Sequence, residues 1–169
     1  MDNKPIFYIM GVSGCGKTTV GKLLAKKLEI PFFDGDDFHP ESNIKKMEAG
    51  IPLNDDDRHG WLLRLNALAK ENSEKGGIIG CSALKVSYRR ILDKGIEKKV
   101  VWVFLKGSFE TIHERMKKRK GHYMPPSLLK SQFEALEPPK HALVLSILKT
   151  PEEIVDEIVE LYPKWLSGK

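Results

Sequence analysis

The segment Gly11-Val-Ser-Gly-Cys-Gly16-Lys17-Thr18 constrains this chain more than any other. It satisfies G-x4-G-K-[ST] in full, a pattern that works only between a strand and a helix, because the loop must turn backbone N–H groups and a helix N-terminus toward one anion. Both flanks fit. Ile6-Phe-Tyr-Ile-Met10 is an apolar run of strand length, and Val20, Leu23, Leu24 and Leu28 recur at helical spacing. With Gly at about 7% of residues, a chance match in a chain this long is on the order of one per cent. The pattern predicts a nucleotide triphosphate cradle built from Gly11, Val12, Ser13, Gly14, Cys15, Gly16, Lys17, Thr18 and Thr19. In it Lys17 reaches the β and γ phosphates and the Thr18 hydroxyl ligates Mg²⁺.

The rest of the chain alternates in the same way. Pro31-Phe-Phe33 reads as a second strand running into Asp34-Gly-Asp-Asp37. A short helix with Pro40 at its first position and Gly50 after its last turn follows. Asp55 to Asp57 can cap a longer helix with the apolar stripe Trp61, Leu62, Leu65, Leu68 and Ala69, stopped by Gly76-Gly77. Ile78 to Cys81 is strand-like, Lys85 to Lys94 helical, and Val100 to Leu105 the clearest buried strand. Ser108 opens a helix with Ile112 and Met116, Lys117 to Pro126 is a basic loop, and Leu128, Leu129 and Phe133 mark the next helix. Ala142 to Ile147 is the last strand, and Thr150-Pro-Glu-Glu153 combines a capping box with Pro at N1. Strands alternating with helices imply parallel pairing and a three-layer α/β sandwich, one domain over residues 1–169.

Composition narrows the function. No apolar run approaches the ~20 residues of a membrane span, and Ile6 to Met10 is too short for a secretory h-region, so a cytoplasmic protein is expected. Cys15 and Cys81 have no partner spacing for zinc or a disulfide framework and read as free thiols, Cys15 facing the phosphate site. Residues 58–130 carry 17 basic and 6 acidic side chains, whereas the flanking segments are both net acidic, which points to an anionic ligand. Nucleic acid is the alternative anion, but the segment lacks RNA-recognition aromatics. A GTPase should carry N/T-K-x-D, and the one Asn-Lys pair, Asn3-Lys4, lacks the Asp. Neither Ile78–Cys81 nor Val100–Leu105 ends in the carboxylate of a large ATPase. The acids follow the second strand instead, as suits a small kinase that brings an acceptor hydroxyl beside a γ-phosphate.

Several further segments share an order with one family. Asp34-Gly-Asp-Asp-Phe-His-Pro40, Lys46-Met47 with Gly50-Ile-Pro-Leu-Asn-Asp-Asp-Asp-Arg58, Cys81-Ser-Ala-Leu-Lys85 with Tyr88-Arg89, and Gly121-His-Tyr-Met-Pro125 through Leu136-Glu-Pro138 resemble gluconokinase, a relative of shikimate kinase and the nucleoside-monophosphate kinases. The resemblance runs from about Gly11 to Pro139. It departs at Gly60, where the family usually has Pro, and at Ala135, where Thr is frequent. It implies a P-loop kinase fold with a five-stranded parallel sheet ordered 2-3-1-4-5 and a lid over about 117–137. The implied reaction is phosphorylation of D-gluconate at its 6-hydroxyl by MgATP, in gluconate catabolism. A homodimer, no membrane and no nucleic-acid partner complete the expectation.

The same resemblance distributes roles. Asp36 orients and deprotonates the acceptor hydroxyl, or else caps the helix near Pro40. Asp34 holds Mg²⁺ through water, or is a turn residue. His39 hydrogen-bonds the polyol, or else caps the helix that begins at Pro40, and Arg58 grips the carboxylate unless it pairs with one of Asp55 to Asp57. Lys85 and Arg89 follow a strand end where open parallel sheets bind ligands, so either can contact gluconate. Arg115 and Arg119 precede the basic tip of the lid, Lys120 to Pro126, and cover the transferring phosphoryl group, Arg119 foremost, while His122 and Tyr123 pack the lid.

Overall fold

A computed structural model describes residues 4–119 and 125–169. The two strongest apolar runs become the two innermost strands. β1 (Ile6–Met10) is buried at every residue, and β4 (Val100–Lys106) at every residue but the last. A strand with no solvent face has to be flanked on both edges and covered on both faces. β1 accordingly pairs in parallel with β3 (Gly77–Gly80) on one side and with β4 on the other, Tyr8 lying opposite Ile79 and Trp102. β2 (Phe32–Asp34) adds to β3 and β5 (Leu143–Ser146) to β4, giving the order β2-β3-β1-β4-β5. The expected 2-3-1-4-5 sheet is therefore present.

Alternation along the strands sorts the core into two layers. Phe7, Ile9, Val101, Val103 and Leu105 pack against α1 (Lys17–Leu28), α5 (Phe109–Lys117) and α7 (Pro151–Ser167) through Val20, Leu24, Ile112, Ile154 and Ile158. Ile6, Tyr8, Met10, Trp102 and Phe104 pack against α3 (Asp55–Glu71) and α4 (Val86–Asp93) through Leu62, Leu65 and Leu92. The remaining helices are α2 (Glu41–Glu48) and α6 (Pro126–Ala135). Because every strand pairing is parallel, Asp34 at the end of β2 and Gly11, Cys81, Gly107 and Ile147 just after the other strands all lie on one edge of the sheet, where ligands of such folds bind.

Local details differ from the sequence expectation in three places. Asn54, not an aspartate of 55–57, caps α3: its side chain accepts from the Asp57 N–H, and Asp57 returns the bond to the Asn54 N–H. Pro40 is the N-cap of α2 rather than its first helical residue. Gly77 is already the first residue of β3, and α3 has ended at Glu71. The Thr150/Glu153 capping box with Pro151 at N1 forms as expected. His122 and Tyr123 lie outside the described residues.

Candidate active site

The P-loop hangs from the end of β1. Gly11 N–H donates to Ser82 O at 3.2 Å, so the loop is tied to the segment just after β3. Gly14 and Gly16 adopt φ +82 and +100, in the region that side chains rarely enter. At Gly14 a Cβ would also meet Met116 Cγ at 2.8 Å, so the loop's close seat on α5 needs glycine there. Gly16 is the N-cap of α1 and no side chain caps that helix, which leaves its first N–H groups for an anion. Lys17 Nζ lies over the loop, 2.9 Å from Gly11 O and 3.1 Å from Val12 O. Thr18 and Thr19 are exposed, and of the two Thr18 faces the cleft above the loop. Cys15 departs from expectation: its side chain is buried beneath the loop instead of facing the phosphate position. Both cysteines are unpaired, and burial pushes the Cys81 thiol up to about 12.

A cleft of about 500 Å³ opens above this loop, lined among others by Ser13, Lys17, Thr18, Asp34, Asp36 and Arg119. The residues expected at triphosphate, metal and acceptor hydroxyl thus meet in one space. Asp34 caps a short 3₁₀ helix, Gly35–Phe38, by accepting from Asp36 N–H at 3.0 Å. That bond turns the Asp36 carboxylate outward, 87% exposed in the cleft. Crowding by the cleft walls raises the Asp36 carboxyl above the usual range, Asp34 adds to this, and His39 and Lys17 oppose it. Among the described residues no group of three or more His, Cys, Asp or Glu is placed to hold a metal ion by itself. A cation held mainly by phosphate oxygens, one hydroxyl and water needs no such group.

His39 adjoins this cleft. Its side chain is 5% exposed, stacked on Trp61 with centroids 4.1 Å apart, and its Nε2 lies 3.9 Å from Asp36 Oδ1. Arg58 and Lys85 form a separate group. Asp55 accepts from the Tyr88 hydroxyl at 2.5 Å and from Lys85 at 3.5 Å, while Arg58 Nη1 lies 3.4 Å from the same hydroxyl and 2.8 Å from Leu53 O. The Tyr88 bond is the main reason the Asp55 carboxyl titrates below its ordinary value. Arg89 is 7% exposed, and its guanidinium donates to Ala83 O at 2.6 Å and Glu137 O at 2.7 Å. Arg115 donates to Ile147 O, fixing the loop after β5.

Four neighbours of these groups gain their roles only through the fold. Gln132 of α6 reaches Ser13, accepting from its N–H at 2.8 Å and donating to its hydroxyl at 3.0 Å. Asn43, Trp61 and Tyr88 read as helix residues, yet each holds a candidate site group. Their spacing to those groups, 30 residues between Arg58 and Tyr88 for instance, exists only in the fold.

A P-loop at the end of the central strand, facing two carboxylates at the end of β2 and an arginine after α5, defines a small-molecule kinase of the P-loop class. The shikimate kinase family model matches residues 13–162. The thermosensitive gluconokinase of Escherichia coli is 54% identical over 138 residues, 79% of this chain and 72% of that protein. A probable gluconokinase of Mus musculus is 41% identical, covering 95% of this chain and 98% of its own. The crystal structure of a gluconokinase from Sinorhizobium meliloti superposes with a TM-score of 0.86 at 39% identity, over 99% of this chain and 94% of that one. The chain belongs to the gluconokinase family.

Proposed function

We propose that this protein phosphorylates D-gluconate at its 6-hydroxyl with MgATP, giving 6-phosphogluconate and ADP. The observation that carries the reading is the single cleft in which Lys17, Asp36 and Arg119 converge. It is supported by the gluconokinase relatives at 38–54% identity. The uncapped start of α1 and the Gly14–Thr18 backbone suit a triphosphate, and the cleft-facing Thr18 suits Mg²⁺, with Asp34 reaching it through water. When bound, Mg²⁺ neutralises charge on the phosphates. Lys17 and Arg119 then act on the equatorial oxygens, where negative charge spreads as the γ-phosphoryl leaves ADP. Asp36 accepts the proton of the hydroxyl as its oxygen forms the new bond to phosphorus, a contribution of about 10²- to 10⁴-fold.

The gluconate carboxylate, on this reading, meets the cationic group around Tyr88, with Arg58 and Lys85 as its partners. Arg89 and Arg115 act by holding loops, since each donates to main-chain carbonyls. The segment from Lys117 to Glu137 serves as the lid, anchored at Ser13 by Gln132. The product feeds a pentose phosphate or Entner–Doudoroff route in the cytoplasm; among the described residues no helix is long and apolar enough to cross a membrane. Family resemblance is what supports a homodimer, and the chemistry needs one chain. The test is ADP release from MgATP with gluconate, shikimate, AMP or no acceptor. Release with gluconate alone is expected, and equal release without acceptor would refute the proposal.

A further inference from the structure

We infer that Asn43 is a positioning residue that fixes His39 as its Nε2–H tautomer and aims that N–H at the acceptor hydroxyl beside Asp36. The inference rests on the reading of Asp36 as the group that receives this hydroxyl. Asn43 is a polar side chain on α2 with 2% exposure. Its Nδ2 lies 2.9 Å from Asp57 O and 3.2 Å from His39 Nδ1. A main-chain carbonyl can only accept, so the Asn43 atom facing it has to be the amide nitrogen; the flipped amide would set two oxygens against each other. The second hydrogen of the same nitrogen then points at His39 Nδ1, which has to accept. A neutral ring with an accepting Nδ1 carries its one proton on Nε2. A doubly protonated ring would set N–H against N–H at Asn43.

The surroundings agree with a neutral ring. The groups facing it are Asp36 from the 3₁₀ turn, Asn43 from α2, and Trp61 and Arg58 from α3. Burial lowers the His39 pKa most, Asp36 raises it, Arg58 lowers it further, and the net direction is down from 6.5. Trp61 sets the ring plane by stacking at 14°, and its own Nε1–H donates to Gly35 O at 2.7 Å, which ties the stack to the turn that carries Asp36. Lys46 of α2 binds both carboxylate oxygens of Asp57 at 2.9 Å, so the carbonyl that orients Asn43 is itself fixed.

The result is a matched pair of groups. His39 Nε2 and Asp36 Oδ1, 3.9 Å apart, do not bond each other. One oxygen placed about 2.8 Å from each would touch both at an angle of roughly 90°. A substrate hydroxyl there donates to Asp36 and accepts from His39, keeping one lone pair for phosphorus. A neutral donor is what this arrangement needs, because an imidazolium at that distance would weaken Asp36 as a base.

The tautomer is read by ¹⁵N NMR of the His39 ring in the ligand-free protein, assigned by subtracting the His39→Gln spectrum. A pyridine-like Nδ1 with a pyrrole-like Nε2 is expected, and Asn43→Asp should reverse the pair by offering an acceptor to Nδ1. A protonated Nδ1 in wild type, or an Asn43→Asp ring identical to wild type, would overturn the assignment. The hydroxyl contact is read separately. His39→Gln can donate from the Nε2 position and should rescue part of the kcat with gluconate that His39→Asn loses. His39→Asn reaches only the Nδ1 position and should lose about tenfold or more, the worth of one hydrogen bond. Equal kinetics in the two variants would overturn the contact, while wild type that ignores gluconate would overturn the proposed function and leave the ring assignment to the spectra.

Discussion

Replacing Arg89 by Met separates two ways in which a buried arginine can matter. The guanidinium spans Ala83 O and Glu137 O, and Glu137 in turn accepts Val86 N–H at its side chain and donates its own N–H to Leu84 O. Ala83 sits at φ +46, a conformation that an unbranched non-glycine residue holds only when its surroundings impose it. Methionine fills the space of the stem but leaves two carbonyls without donors, each costing about 1–3 kcal/mol. Relief of the buried charge, whose desolvation already lowers the Arg89 pKa, offsets part of this. A net loss of about 2–4 kcal/mol follows, and in a chain of this size that lowers Tm by roughly 5–15 °C. Differential scanning calorimetry reads the shift, and steady-state kinetics well below the lowered Tm should give a KM for gluconate within about twofold of wild type. An unchanged Tm with a KM raised many-fold would refute the clamp and make Arg89 a direct substrate contact.

Three other substitutions probe separate parts of the account. Asp36→Asn should lower kcat by about 10²- to 10⁴-fold with Tm unchanged, because its carboxylate is exposed and makes no side-chain hydrogen bond among the described residues; calorimetry beside the coupled assay checks both. Gly60→Ala should raise stability by about 0.5–1 kcal/mol in urea melts, since the residue is helical with nothing within 4 Å of a Cβ, and a loss would show that this turn of α3 needs glycine. The Asp57 carboxyl titrates below 3.8, chiefly through Lys46. Between the two pKa values the unfolded chain holds more protons than the folded one, so this stabilisation is present above about pH 4 and is lost as pH falls through the folded value. The gap in urea midpoint between wild type and Lys46→Met should therefore narrow below pH 4, and a gap that widens there would contradict the pairing.

What the sequence made legible was set by local rules. Continuous apolar runs gave β1 and β4 at their observed limits within a residue, and Thr150-Pro-Glu-Glu announced α7, because strand burial and capping are encoded within a few residues. The P-loop and the acids after β2 were legible for the same reason, and topology alone brought them to one edge. Asn54 does not stand out as the cap of α3 in the sequence, because the three aspartates beside it are equally good capping residues. Cys15 faces inward because the turn at Gly14 and Gly16 reverses the side-chain directions that simple adjacency suggests. Asn43, Trp61, Tyr88 and Gln132 owe their roles to contacts between elements, which no periodicity encodes.

On the proposed function, this cleft moves the γ-phosphoryl of ATP to the terminal hydroxyl of gluconate. The most direct test is the phosphorus–proton correlation spectrum of the product formed from gluconate, with 6-deoxygluconate run in parallel. One phosphate ester is expected, its phosphorus coupled to the two C6 protons, with no product from the deoxy compound. Coupling to a methine proton, or phosphorylation of 6-deoxygluconate at a comparable rate, would contradict the proposed function.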